Sequence, residues 1–200
     1  MKRLACFVLS GLVASLVATA CAQNLIANGD FDTDLSGWAT PEGTPMWSNF
    51  DVDGSSTSGS VWFANMQADA NVRQVVISQC IPIVQTGTYV FGGAAYAPTG
   101  QVSAGRLYGE YAIDVRHADC SGGYSSLGGL SMTSLGQWTY YATTGGLYRP
   151  LSVPVLFPEA SILIRFSVEK TDAGGSFGGY FDGAYVIRDT LLSEDFDIDT

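Results

Sequence analysis

The chain has 200 residues, of which 46% are hydrophobic and 14% are charged, and its formal net charge is −10. This length fits one domain, and the acidic balance argues against binding to phosphate backbones or anionic lipid surfaces, which need clustered Lys and Arg. An acidic surface remains compatible with solubility and with calcium ligation by carboxylates.

The first 22 residues are predicted to be a secretory signal peptide. A basic amino end at 1–3 precedes an apolar run at 4–17, and Ala20-Cys21-Ala22 offers a small-x-small cleavage site. The alternative is a lipoprotein in which Cys21 carries the lipid, although the residues before it lack the usual large aliphatic residue. Cleavage after residue 22 leaves seven basic and nineteen acidic residues, a charge of 7 − 19 = −12. We therefore predict a secreted or periplasmic protein.

The signal peptide takes away two of the four cysteines and leaves Cys80 and Cys120. Two cysteines in an exported chain most simply form one disulfide. It would close a loop of 120 − 80 = 40 residues, which the chain-entropy model values at about 4 kcal/mol. Two buried free thiols remain the alternative. A metal pair is disfavoured, because only His117 could add a third soft ligand.

The rest of the chain is predicted to be a β-sandwich module at 23–190 followed by an acidic flexible tail at 191–200. Seven stretches rich in Val, Ile, Thr and aromatic residues are separated by Gly, Ser, Asp or Pro, which is typical of strands. They are Val61–Asn65, Val72–Gln79, Gly87–Ala97, Tyr108–Ala118, Trp138–Thr144, Ala160–Lys170 and Gly179–Arg188. The turn-rich pieces Pro41–Gly59, Ser121–Gly136 and Ala173–Gly179 lack the apolar spacing of a helix. This pattern predicts an all-β sandwich or jelly roll.

Two of these strands alternate cleanly between apolar and polar residues, as strands do when one sheet face is buried. In the first, the apolar side is Tyr111, Ile113 and Val115, and the polar side is Glu110, Asp114 and Arg116. In the second, the apolar side is Ile162, Ile164, Phe166 and Val168, and the other side is Leu163, Arg165, Ser167 and Glu169. The alternation predicts two antiparallel sheets, each with one face on the core.

Catalysis is not expected from these residues. His117 is the one histidine and lies on a strand, where a structural role is commoner than that of a general base, and no Gly-x-Ser-x-Gly elbow is present. Glu110 and Asp114 would lie roughly 13–14 Å apart along a strand, which is too far for an ordinary glycosidase pair. The sequence therefore favours a protein that is not an enzyme.

The DFDTD stretch at 30–34 has the oxygen-ligand spacing with which an EF-hand loop begins. However, Leu35 occupies the sixth position, which requires glycine, and Pro41 occupies the twelfth, which requires a bidentate Glu. A self-contained calcium loop is therefore excluded.

The whole stretch at 24–38, NLIANGDFDTDLSGW, resembles the amino-terminal signature of secreted carbohydrate-binding modules attached to bacterial cellulases and xylanases. These read Asn-Leu-(Ile/Leu)-x-Asn-Gly-Asp-Phe-Glu, then Gly-Trp after a short gap. GYFDGAYV at 179–186 resembles the closing strand of that family, and SQCIPI at 78–83 with GTYVF at 87–91 resembles its middle strand pair. Gln137-Trp138-Thr139 matches the start of a late strand. The likeness spans almost all of 24–188.

The resemblance implies a jelly-roll β-sandwich of the galactose-binding-domain kind, with a structural calcium ion that joins the first strand to the last. The family's ligand positions correspond to Asp32 and Asp182. Asp32 replaces a longer Glu, and Gly183 replaces a second Asp of the closing strand. Backbone carbonyls and the turn at Asp51 and Asp53 could complete the coordination. The alternative, that these are ordinary turn carboxylates, remains.

Sugar binding in this family relies on aromatic rings that stack on pyranose rings and on polar groups that bond hydroxyls. Trp38 matches the family's Gly-Trp and is expected in the core. The aromatic candidates are Trp47, Trp62, Tyr96, Trp138, Tyr140 and Tyr141, and the polar candidates are Glu110, Asp114, Arg116 and Arg165.

The resemblance thus predicts a secreted, non-catalytic carbohydrate-binding module whose partner is a polysaccharide or other glycan. The alternative is a secreted structural or adhesion β-sandwich that contacts protein. A glycosidase or esterase is less favoured than either.

Overall fold

The computed structural model describes residues 23–85, 87–122, 126–142, 151–153 and 160–189. The predicted signal peptide at 1–22 and the predicted tail at 191–200 lie outside the described residues. The described part contains no helix, as the sequence predicted, and so no helix that could cross a membrane. Its strands are β1 Met46–Ser48, β2 Ser60–Asn65, β3 Val72–Ile83, β4 Gly87–Tyr96, β5 Gly105–Asp114, β6 Ser126–Met132, β7 Trp138–Ala142, β8 Leu151–Val153, β9 Ala160–Lys170 and β10 Phe177–Asp189.

The strands form two antiparallel sheets that pack as a β-sandwich, which confirms the predicted fold class. Within the described residues, one sheet has six strands in the order β1-β2-β10-β4-β7, with β8 paired to the other end of β4. The second sheet has four strands in the order β3-β9-β5-β6. Strands β9 and β10 are therefore interior strands, so residues on their outer faces lie away from the sheet edges.

The core lies between the two sheets. Ile162, Ile164, Phe166 and Val168 of β9 are each 0% exposed, which confirms the alternation predicted for this strand. Phe166 stacks on Phe181 of the six-stranded sheet with ring centroids 4.9 Å apart, and Phe91 lies 6.2 Å from the same ring. Aromatic contacts of this kind join the two sheets directly.

The amino-terminal stretch at 24–38 closes the sandwich by pairing with its last strand. The backbone N–H of Leu25 donates to the carbonyl of Val186 at 2.8 Å, and that of Ala184 donates to the carbonyl of Gly29 at 2.9 Å. Position 29 requires glycine because a Cβ there would lie 2.1 Å from the Ala184 carbonyl oxygen. The first and last segments are thus joined by backbone hydrogen bonds.

The remainder of this stretch is a turn built around Asn28. Asn28 has a positive φ of 51°, and its side-chain amide donates to the carbonyls of Asp34 at 2.9 Å and Ser36 at 3.1 Å. Trp38 is 8% exposed, and its ring centroid lies 5.6 Å from that of Phe166. Trp38 is therefore a core residue, as expected from its place in the motif.

The disulfide between Cys80 and Cys120 is present, which confirms the predicted pairing. Cys80 lies on β3, Cys120 follows β5, and β9 runs between these two strands. The tether therefore draws the segment 115–122, which we call the tethered loop, across the outer face of the four-stranded sheet. Ser161 on that face donates to the carbonyl of His117 in the loop at 2.7 Å.

Three short strands were missed from the sequence. β1 and β6 lie in segments expected to be turns, at 41–59 and 121–136, and β8 was not predicted at all. The glycines of β6 are typical of a turn in the sequence, but in the structure they allow close packing within a strand. A Cβ at Gly128 would lie 2.4 Å from the ring of Tyr111 on the paired strand β5.

Candidate functional site

The predicted sugar-binding residues divide between opposite surfaces of the sandwich. Glu110 and Arg165 lie on the outer face of the four-stranded sheet. Trp62, Tyr96 and Trp138 lie on the outer face of the six-stranded sheet. The structure therefore does not bring the predicted aromatic and polar residues together into one site.

The outer face of the four-stranded sheet carries an array of hydrogen-bonding side chains, which we call the polar face. Strand register places them, together with Val75, in three rows across β3, β9 and β5. The rows are Arg73, Glu169 and Arg106; Val75, Ser167 and Tyr108; and Ser78, Arg165 and Glu110. Of these residues, only Glu110 and Arg165 were predicted from the sequence as sugar-binding residues. The alternation that identifies Glu110 also places Tyr108, two residues earlier on β5, on the same face.

Glu110 is the centre of a network on the polar face. One of its carboxylate oxygens pairs with the guanidinium of Arg73, and the other accepts a hydrogen bond from the Ser167 hydroxyl at 2.9 Å. The Arg73 guanidinium also lies 3.7 Å from the centre of the Tyr108 ring, a cation–π contact. The network holds these side chains in place before any ligand arrives.

Tyr108 continues the network towards the neighbouring row. Its hydroxyl donates a hydrogen bond to the Glu169 carboxylate. Burial raises the pKa of Tyr108, and the hydrogen bond to Glu169 raises it further. The hydroxyl therefore remains a protonated donor at neutral pH.

Arg165 is placed at the centre of the polar face but is poorly paired. Its closest approach to Glu110 joins Nη2 to Oε1 at 3.9 Å, beyond hydrogen-bonding distance. Its Nε is buried and has no hydrogen-bond partner among the described residues. The side chain is 26% exposed, so part of the guanidinium faces solvent.

The tethered loop bounds the polar face at one end, and Asp114 holds that loop. Asp114 was expected on a solvated face but is 0% exposed, because the loop wraps over it. Its carboxylate accepts hydrogen bonds from the backbone of Arg116 at 2.9 Å and of Gly122 at 2.8 Å. Burial raises the pKa of Asp114, but these bonds and His117 outweigh it and leave the pKa below its ordinary value.

Asp114 is therefore a structural residue of the loop rather than part of the polar face. Arg116 is exposed on the same loop, outside the three rows. The ring Nδ1 of His117 lies 3.2 Å from both carboxylate oxygens of Asp114, which fits the structural role expected for this histidine.

The outer face of the six-stranded sheet carries a row of aromatic residues, which we call the aromatic face. Trp62, Tyr180, Tyr96 and Trp138 lie side by side on adjacent strands, with successive ring centroids 4.6, 6.1 and 5.5 Å apart. Phe50 lies over the row, 4.9 Å from both tyrosine rings and 5.2 Å from Trp138. Tyr180 and Phe50 were not singled out from the sequence.

The rings of the aromatic face are largely occupied by contacts with one another and with the loop that carries Phe50. Phe50 stacks on Trp138 with ring planes 21° apart. The loop is fixed beside it, because the Val52 N–H donates to a carboxylate oxygen of Asp182 at 2.8 Å. The aromatic face therefore anchors this loop, and its rings are partly covered by one another and by Phe50.

The other predicted aromatic residues lie apart from the row. Tyr140 is 68% exposed on β7, the edge strand of the aromatic face, whereas Tyr141 is 5% exposed and belongs to the core. Trp47 lies on the edge strand β1, and its indole N–H donates to the carbonyl of Phe31 at 2.7 Å.

Asp182, a predicted calcium ligand, is 1% exposed beneath the loop. Burial, together with the charges of Asp51 and Asp30, raises its pKa to about 7, although backbone hydrogen bonds from Val52 and Gly183 act in the opposite direction. Asp32, the other predicted ligand, is exposed, and its backbone N–H donates to the Asn28 side chain at 3.0 Å. The carboxylates whose charges act on Asp182 thus include Asp51, as the sequence suggested, and Asp30.

Within the described residues, no three His, Cys, Asp or Glu side chains are grouped as a metal site. The carboxylate oxygens of Asp182 accept backbone hydrogen bonds from Val52 at 2.8 Å and Gly183 at 2.6 Å. Calcium binding by Asp32 and Asp182 therefore stays a prediction.

Comparison with known proteins gives matches to solved structures. No protein-family model matches the chain, and neither does any curated protein. The enzymatically active domain of tailspike protein 4 from bacteriophage CBA120 is 18% identical, with a TM-score of 0.55 over 82% of this chain and 21% of that chain. A candidate sugar-binding protein from Bacteroides thetaiotaomicron is 12% identical, with a TM-score of 0.53 over 84% of this chain and 100% of the other.

A third similar structure comes from work on carbohydrate-binding modules of the β-sandwich superfamily. It is 11% identical, with a TM-score of 0.51 over 82% of this chain and 61% of that chain. The fold is a jelly roll of the carbohydrate-binding-module type. This confirms the fold that the sequence resemblance implied. Because these identities are low and this chain covers only 21% and 61% of two of the matched chains, the jelly roll by itself does not carry over their activities.

Proposed function

We propose that the protein is an exported, non-catalytic carbohydrate-binding module that contacts glycan through its polar face. The observation that carries the proposal is the network around Glu110, which fixes charged and hydroxyl groups on an accessible sheet face. Sugar sites combine a few fixed polar groups with an aromatic surface, and Tyr108 with the guanidinium of Arg73 over its ring supplies a planar surface within the same array. The similarity in fold to carbohydrate-binding modules supports this choice.

The arrangement of acids on the polar face supports binding rather than hydrolysis. Glu110 lies opposite Arg165, and Glu169 lies four residues further along β9, so their Cα atoms are roughly 13 Å apart by strand rise. Both carboxylates are also engaged by neighbouring side chains, which leaves neither placed as a free acid or base.

Export is part of the proposal. A disulfide persists in an oxidising compartment, and the bond between Cys80 and Cys120 fits the signal peptide predicted at 1–22. Mass spectrometry of the protein purified from its host would test this: a mature chain beginning at Gln23 is expected, and a lipidated Cys21 would instead support the lipoprotein.

Retention in affinity gels that contain soluble polysaccharides tests the proposed site. We expect the native protein to be retained by at least one glycan, without release of reducing sugar. Glu110→Gln removes the charge that holds Arg73 and should weaken retention about tenfold, as for the loss of one charge-assisted contact. Tyr140→Ala is the matched control, because this side chain is 68% exposed on the opposite sheet.

The results divide the hypotheses clearly. Loss of retention in Tyr140→Ala but not in Glu110→Gln would move the site to the aromatic face. Absence of retention by any glycan on a broad array would reject carbohydrate binding.

The second candidate, a structural or adhesion module, is favoured by one observation. Met46, Phe50 and Tyr140 on the aromatic side are 55%, 39% and 68% exposed, and exposed apolar groups of this kind suit protein contacts. Retention of a protein partner that is lost in Tyr140→Ala, together with a negative glycan array, would support this candidate.

We also propose that calcium binds near Asp182. Oxygen ligands suit calcium, and a cation would offset the repulsion between this buried carboxylate, Asp51 and Asp30. Bound calcium at a hundred times its Kd would add about 2.7 kcal/mol, which corresponds to about 5–10 °C in Tm for a domain of this size. A Tm unmoved by a chelator would remove the calcium proposal and leave the glycan proposal untouched.

A further inference from the structure

We infer that the polar face selects a glycan bearing carboxylate groups, such as a uronic-acid polymer, and that Arg165 is the residue that makes the selection. This inference rests on the proposed carbohydrate-binding function and names the substrate class of the same site.

Arg165 lies in the middle of the polar face. It is on β9, which has β3 on one side and β5 on the other. In strand register it has Ser78 on one side and Glu110 on the other. A ligand that lies across the three strands must pass over this guanidinium.

The hydrogen-bond donors of Arg165 are not all satisfied within the described part of the chain. A guanidinium has five N–H donors and no acceptor, and here Nε has no partner among the described residues. The contact with Glu110 is 3.9 Å long, so it contributes charge attraction but no hydrogen bond. A donor left buried without a partner is costly, and an acceptor supplied by a ligand would remove that cost after a small rotation of the side chain.

The carboxylates near Arg165 are already bound by other side chains. The two oxygens of Glu110 are taken by Arg73 and by Ser167, and Glu169 accepts from Tyr108. Among the described residues, Arg165 therefore shares the charge of Glu110 with Arg73 and has no hydrogen-bonded anion of its own, on a chain whose net charge is −10. The anion that fits it comes from outside the protein.

The chemistry of the guanidinium points to a carboxylate. Its planar fork matches the two oxygens of a carboxylate in parallel hydrogen bonds, whereas a neutral sugar hydroxyl can accept at only one point. Ser78, beside Arg165 in the row, and the Glu110 network would bond hydroxyls of the same sugar. The net negative charge of the chain opposes a polyanion at long range, but this repulsion is screened beyond about 8 Å at physiological salt, so the contact at Arg165 decides the preference.

The inference can be tested with two ligands that differ only in whether the carboxylate is free: oligoglucuronic acid and its fully methyl-esterified form. Calorimetric titration of the whole protein should give a Kd about tenfold or more lower for the acid, as expected for a bidentate charge-assisted contact. Arg165→Gln should abolish this preference while leaving the affinity for the ester within about twofold. Arg165→Lys keeps the positive charge but loses the planar guanidinium. Its preference for the acid should lie between that of the native protein and that of Arg165→Gln.

Arg188→Gln is the matched control, because it removes the same charge from β10 of the six-stranded sheet, outside the three rows of the polar face. It should leave the preference unchanged. A sulfated oligosaccharide of neutral backbone provides another arm and should bind more weakly than the acid.

Equal affinity for the acid and the ester, or a preference for the sulfated ligand, would overturn the inference while the proposed function stands. A preference retained in Arg165→Gln with an unchanged Tm would also overturn it. If neither ligand binds and a neutral glycan does, the inference fails alone; if no glycan binds at all, the proposed function fails with it. If Arg165→Gln lowers the Tm, the test rests on Arg165→Lys alone. Full retention of the preference for the acid in Arg165→Lys would then overturn the inference.

Discussion

Tyr141 offers a sharp test of the core, because its hydroxyl has no hydrogen-bond partner among the described residues although the residue is 5% exposed. The ring is wedged between glycines of the two sheets. A Cβ at Gly93 would lie 2.4 Å from the hydroxyl oxygen, and one at Gly109 would lie 2.7 Å from the ring. Burial, followed by the charges of Tyr185 and Asp182, raises the pKa of Tyr141 well above its ordinary value, so the hydroxyl is not ionised at neutral pH.

We expect Tyr141→Phe to stabilise the protein. A buried polar group without a partner costs about 1–3 kcal/mol, so removing the hydroxyl should raise the free energy of unfolding by about 1–2 kcal/mol. At this chain length the gain corresponds to roughly 2–8 °C in Tm. The assay is equilibrium unfolding in urea, in which the midpoint should rise while the slope m stays constant.

Tyr89→Phe is the matched control. Tyr89 is 2% exposed, but its hydroxyl donates to the carbonyl of Gln85, so the same change should destabilise the protein by about 0.5–1.5 kcal/mol. If Tyr141→Phe proves as destabilising as Tyr89→Phe, the hydroxyl has a partner such as a buried water, and the reasoning is refuted.

Two further predictions concern the disulfide and Asp182. Replacing Cys80 and Cys120 by Ala opens a link of sequence separation 40 and should cost about 4 kcal/mol in urea unfolding; an unchanged midpoint would contradict this. The pKa of Asp182 is raised from 3.8 to about 7, so the unfolded state releases this proton first as the pH rises. Stability should therefore fall between about pH 4 and 7, by up to about 4 kcal/mol, and level off above. Compared in chelator, Asp182→Asn should lack this decline, and a native protein that instead gains stability relative to Asp182→Asn over that range would refute the raised pKa.

The strands could be predicted well because their alternation is a local property of the sequence. The spacing of Ile162, Ile164 and Phe166 is enough to identify a buried face, and all three are buried. β6 could not be found in this way, because Gly128 and Gly129 carry no apolar signal. A Cβ at Gly128 would meet the Tyr111 ring and one at Gly129 would meet the Gly109 carbonyl, both on the paired strand β5.

The candidate site was harder to predict because alternation tells which residues share a face but not which sheet that face belongs to. Trp138 and Glu110 both point outward, yet they lie on opposite sides of the sandwich. The burial of Asp114 depends on a loop drawn over it by a disulfide to a strand that is not its neighbour. Arg73 reaches Glu110 across β9, a contact that only the strand order reveals.

The joined ends of the sandwich have a consequence for how such a module can be built into proteins. Val186 donates its N–H to the side chain of Asn24 at 3.0 Å, across a sequence separation of 162. A module whose ends lie side by side can be inserted into a surface loop of a host protein without stretching that loop, and it can be circularly permuted. The turn at Gly100, where an added Cβ would meet nothing within 4 Å, is the natural place to open a permuted chain.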